Sequence, residues 1–135
     1  MTDRVVAGTG QGPARVLVVE PNMEGHRFNY ARILVAECQH RGIPVTLVTT
    51  PTGRADYLAK AGATVPDAWE LVTDGTRPGA AELARVSEKV GATTVVVPDG
   101  DAMALGLARR PRWRSTADLR ILIMRAHAQP GRYPQ

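Results

Sequence analysis

The stretch 22–27, Asn-Met-Glu-Gly-His-Arg, brings an amide, a glycine and two basic side chains to the point where a buried strand empties into a helix. Such a junction suits an anion. Asn22 is placed to cap the helix, and Gly25 lets a phosphate or a sugar hydroxyl reach the backbone. His26 and Arg27 add positive charge beside the free amides and the positive dipole end. Capping and surface exposure explain the same pattern without a ligand. Three other stretches also carry chemistry. Thr49, Thr50, Pro51, Thr52 and Gly53 offer hydroxyls and amides, as any turn would. Asp99-Gly100-Asp101 could hold a divalent metal through hard oxygen ligands, but an aspartate there is also the N-cap a helix needs, so no metal site is expected. Arg125 and His127, just past the last apolar run, could hold an anion and exchange a proton.

Hydrophobic patterning supplies the elements that must position these residues. Val16, Leu17, Val18 and Val19 are a continuous β-branched and aliphatic run of the kind a central parallel strand requires. Phe28, Ala31, Leu34, Val35 and Cys38 then recur at helical spacing until Gly42 closes the helix. Further strands are expected at 44–49, 69–72, 93–97 and 119–124, and further helices at 55–61, 80–90 and 101–110. The alternation predicts an α/β fold: a doubly wound, mainly parallel Rossmann-like sheet with helices on both faces. In such sheets ligands lie outside the carboxyl ends of the strands. The loops after Val19, Val48, Val97 and Met124 are therefore the candidates. Gly8, Gly10 and Gly12 precede the first strand, so they cannot act as a dinucleotide fingerprint.

With 135 residues, 44% of them hydrophobic and 22% charged, the chain fits one ordinary globular domain with a real core. Only six aromatics predict a core of Val, Leu and Ala. No apolar run is long enough to span a bilayer and no leader pattern opens the chain, so a cytoplasmic location is expected. Cys38, the single cysteine, excludes internal disulfides and cysteine-rich zinc sites and reads as a small buried hydrophobe. The net charge of +4 includes fifteen Arg, seven of them between Arg109 and Arg132. A solvated basic face is the first reading and peripheral contact with an anionic membrane the second. Nucleic acid is disfavoured, because only Trp113 and Tyr133 are at hand for stacking. Phosphate-loop, serine-hydrolase elbow and zinc-protease motifs are absent. A receiver domain would need an acidic pair after the first strand, where Pro21 and Asn22 follow Glu20.

The run from Val18 through Glu20, Pro21, Gly25, His26 and Arg27 to Leu34, followed by Arg41-Gly-Ile-Pro-Val-Thr-Leu-Val-Thr-Thr50, resembles the opening of the N-terminal Rossmann-like domain of GT-B glycosyltransferases of the family 4 type. Val97-Pro-Asp-Gly-Asp101 and Ile121-Leu-Ile-Met-Arg125 continue in the same order. The resemblance implies a flexible lead-in at 1–14, an acceptor-side domain at 15–127 and a tail at 128–135. It implies further that Gly25 faces a donor pyrophosphate, that His127 is the catalytic histidine, and that Asn22, His26, Arg27 and Arg125 bind substrate. A nucleotide-sugar would be the co-substrate, with no other cofactor. A separate donor domain or a second copy of the chain would complete the enzyme around an unspecified acceptor. The alternative expectation is a non-catalytic α/β module that binds an anionic ligand or a protein partner.

Overall fold

The β-branched run 16–19 forms β1 (Val16–Val19) at the centre of the sheet, where neighbours on both sides and layers on both faces bury its last three side chains. The computed structural model describes residues 13–98 and 113–121. Within them the chain runs through α1 (His26–His40), β2 (Val45–Thr49), α2 (Pro51–Ala61), β3 (Ala68–Leu71), α3 (Ala80–Val90), β4 (Thr94–Val97) and β5 (Asp118–Ile121). The strand order is β3-β2-β1-β4-β5, and every pair is parallel. Leu17 faces Thr46 on one side and Val95 on the other. The expected doubly wound α/β sheet is therefore present.

The period-2 alternation of the strands divides the core. Val18, Val45 and Leu47 point to one face and pack with Met23, Phe28, Ala31, Val35, Cys38, Tyr57 and Ala61, the inward positions of α1, α2 and the first loop. Leu17, Val19, Val48, Val95 and Val97 point to the other face and meet Leu83 of α3, with Val72, Ala92 and Ala117. Each fully buried Leu or Val contributes about 1.5–3 kcal/mol relative to an exposed one. The core is less purely aliphatic than composition predicts. Phe28, Tyr57 and Trp69 meet edge to face, with ring centroids 5.3 Å and 5.7 Å apart, which is the geometry aromatic quadrupoles favour. Tyr57 is fully buried and donates its hydroxyl to the carbonyl of Thr64 at 2.7 Å. Cys38 lies buried in the first cluster, where desolvation raises its thiol pKa and keeps it a packing residue.

Two helix starts differ from the sequence expectation, and the strand ends that fall within the described residues shift by about one residue. Helix α1 begins at His26 with Gly25 as its N-cap. Asn22 instead accepts a hydrogen bond from the Glu24 amide at 3.1 Å, which folds the preceding loop. Helix α2 begins at Pro51, four residues before its expected start, because Thr50 caps it and Pro51 fits its first turn. The segments 1–12 and 122–135 lie outside the described residues, as do the Asp99 to Asp101 run and the helix expected at 101–110.

Candidate functional site at the carboxyl edge of the sheet

Three loops rise from the carboxyl ends of β1, β2 and β3. The first is held from below. Glu20, only 1% exposed, accepts a hydrogen bond from the Asn22 amide at 3.1 Å, and Met23 is buried behind it. Lys60 of α2 donates to the Met23 carbonyl at 2.8 Å while its ammonium stands 4.7 Å above the Phe28 ring. The loop is thereby tied to the helix that follows the next strand. It delivers Gly25 at φ 58° and ψ −131°, a conformation that side-chain-bearing residues rarely adopt. From that turn α1 departs with no side-chain cap and no acidic residue in its first turn. His26 is exposed there and meets Tyr30 edge-on at 5.9 Å, and Arg27 is half-buried.

The second loop is sealed differently. Thr50 accepts from the Gly53 amide at 2.9 Å and donates its hydroxyl to the Pro21 carbonyl at 3.2 Å. Gly53 is packed so tightly that a Cβ there would stand 2.1 Å from the Thr49 hydroxyl and 2.9 Å from the Pro21 carbonyl oxygen. The third loop crosses over and sets the Asp74 carboxylate on the Thr52 amide at 3.0 Å. That amide, then the hydroxyls of Thr52 and Thr50, hold the Asp74 carboxyl below the usual carboxylate range. Helix α2 thus already carries a carboxylate of the protein itself at its positive end.

A cavity of about 400 Å³ lies between the loops. Asn22, Glu24, Asp56, Asp74 and Arg77 bring its charged and amide groups, with Thr50, Thr52 and Thr76 between them. Three carboxylates against one guanidinium make it unreceptive to phosphate. The cavity wall takes in Asn22 but not Gly25, His26 or Arg27, which stand beyond it at the start of α1. Gly25, His26 and Arg27 therefore stand outside the acidic cavity that Asn22, on the same loop, shares with α2. Arg125 and His127 lie outside the described residues. Among those described, no group of three or more His, Cys, Asp or Glu could hold a metal ion, and no helix is long and apolar enough to cross a membrane.

Asp74 is the residue sequence reasoning passed over, whereas Thr52 and Gly53, expected in a turn, lie in the first turn of α2. The Thr50-Pro51 pair, an N-cap followed by a proline at the first helical position, is the signal that would have found the start of α2. Asp74 leaves no local signal, because its partner is 22 residues away in sequence.

No family model matches the chain, and no curated protein matches it either. Among solved structures, the universal stress protein from Archaeoglobus fulgidus matches with a TM-score of 0.53 at 12% identity, covering 80% of this chain and 92% of that one. The same protein solved in complex with dAMP matches with a TM-score of 0.54 at 13% identity, covering 80% of this chain and 96% of that one. Likeness at this level of identity is a likeness of fold. These matches overturn the glycosyltransferase resemblance and the acceptor-side function read from it, while Arg125 and His127 lie where the structure describes nothing that tests them. The strand, glycine-containing loop, helix and second strand that carried the resemblance are what a central parallel β1 followed by α1 and β2 requires in any doubly wound sheet. They report the architecture and not the reaction.

Proposed function

We propose that the chain is a non-catalytic α/β module that binds an anionic ligand of the nucleoside phosphate class at the β1–α1 loop, with Gly25, His26 and Arg27 as the contact residues. One contrast carries this reading. Of the three described helices that start at the carboxyl edge, α2 receives the Asp74 carboxylate and α3 has Glu82 in its first turn, while the first turn of α1 has no acidic residue and begins with two basic side chains. A phosphate would complement the start of α1 and be repelled from that of α2. Support comes also from the fold neighbour that was solved in complex with dAMP.

Calorimetric titration of the whole chain with dAMP, and separately with inorganic phosphate, tests the reading. Saturable binding is expected, with backbone amide signals of Gly25 and His26 moving in parallel NMR titrations. Arg27→Ala should weaken binding by at least about tenfold, since a hydrogen bond to a charged group contributes about 1.5–3 kcal/mol. Binding that leaves the Gly25 and His26 signals unmoved, or no saturation by either ligand, overturns it.

A further inference from the structure

The opposite layer of the molecule carries a groove that the proposed anion site does not use. It runs along the outward flank of α3 and has a volume of about 750 Å³. Ala81, Ala84, Arg85, Glu88 and Lys89 line it, positions spaced so that they share one side of the helix, and Arg114 forms the facing wall. Ala81 is exposed and Ala84 lies buried at its base, so the small side chains there let another backbone approach at the short end of the usual 8–10 Å interaxial range. The rim is cationic. Among the described residues, Arg85, Lys89 and Arg114 oppose a single lining carboxylate, Glu88.

That carboxylate is committed elsewhere. Glu88 accepts hydrogen bonds from the Ser115 hydroxyl at 2.8 Å, the Thr116 amide at 2.8 Å and the Thr116 hydroxyl at 3.0 Å. The Thr116 amide first, then the two hydroxyls, lower its pKa. The same bonds pin the segment next to Arg114 against α3, so the facing wall is held in place. Lys89 reaches Glu70 at 3.1 Å across a solvent-exposed pair, which a buried acidic partner could displace at little cost.

We infer that this groove docks an acidic amphipathic helix of a partner protein, whose apolar side enters above Ala81 and Ala84 while its carboxylates meet Arg85, Lys89 and Arg114. Charge complementarity selects the acidic partner, and concavity selects a helix over a membrane. A flat anionic bilayer cannot follow a concave surface of this kind. Among the described residues no aromatic side chain lines the groove, so these residues offer nucleic acid no stacking platform.

The probe is a synthetic amphipathic peptide of about 18 residues, with leucines on one side and glutamates flanking them, labelled for fluorescence anisotropy with the full chain. Its counterpart carries lysine in place of every glutamate. The glutamate peptide should bind saturably and more weakly as salt rises, and the lysine peptide should not bind. Arg85→Ser with Arg114→Ser should weaken binding by about tenfold or more. Ala81→Trp, at an exposed position, should block the groove while leaving the thermal melt in place. Equal binding of both peptides, binding unchanged in either variant, or sedimentation with phosphatidylglycerol vesicles without peptide binding would each overturn the inference.

Discussion

The Asp74 carboxylate accepts a hydrogen bond from the Thr52 amide at 3.0 Å, so the loop after β3 caps the helix after β2. This single contact spans the mouth of the cavity and supplies α2 with a negative charge at its positive end. Because the hydrogen bonds lower the folded-state pKa of Asp74, its stabilising effect is present above the unfolded carboxylate value. It is lost as the pH falls through the lowered folded value. Asp74→Ala is therefore expected to melt below the wild type at neutral pH, with the gap closing under acid conditions below about pH 4. Thermal melts across that range check it, and a gap independent of pH would be wrong for a charged cap.

Two glycines at this edge should respond to alanine for different reasons. At Gly53 the new methyl would collide with the Thr49 hydroxyl and the Pro21 carbonyl oxygen, and the backbone atom cannot swing aside. Gly53→Ala is expected to cost about 1–3 kcal/mol through overpacking. At Gly25 nothing lies within 4 Å of the place a methyl would take, but φ is +58°. Gly25→Ala is expected to cost about 1–3 kcal/mol through backbone strain alone. Urea midpoints measure both. A shorter side chain at Thr49 separates them: Thr49→Ala should relieve part of the Gly53→Ala defect and none of the Gly25→Ala defect.

Tyr57 supplies an alkaline counterpart. Burial pushes its phenol up to about 12, above the unfolded value of about 10. The folded state then holds a proton that the unfolded state releases, so stability is full below about pH 10 and falls as the pH rises toward 12. An absorbance titration should contain a component ionising near pH 12 that Tyr57→Phe removes. The same substitution should cost about 0.5–1.5 kcal/mol at neutral pH through the lost bond to the Thr64 carbonyl. Retention of the late component in the variant would assign it to another residue.

The sheet was legible because its signals are local. Val16 to Val19, the α1 periodicity ending before Gly42 and the α3 span at 80–90 each follow from patterns contained in a few turns or one strand. Parallel order followed from strands alternating with helices. The site was legible only in part. Asn22, Gly25, His26 and Arg27 share one loop and could be read together, whereas the cavity beside that loop is lined by Asp74 from a loop after β3 that was not singled out, its partner Thr52 lying 22 residues away in sequence. The aromatic cluster escaped for a related reason: Phe28, Tyr57 and Trp69 come from three elements, and only packing unites them. Resemblance to a glycosyltransferase failed because a loop that fits a fold says little about which molecule the loop holds.

The two clusters flanking the sheet also differ in when the growing chain can complete them. Every residue of the cluster under α1 and α2, with the partly buried side chains packed on it, falls between Val16 and Trp69. The cluster under α3 draws on Leu17 and Val19 but needs Leu83, Val95 and Ala117 as well. On a ribosome, β1, β2 and β3 with their two helices can therefore bury one face while the other waits, bare, for the second half of the chain. The β1 edge that will receive β4, where Arg15 eventually donates to the Thr93 hydroxyl across 78 residues, is the seam left open longest. Pairing errors and premature association during synthesis should concentrate at that edge.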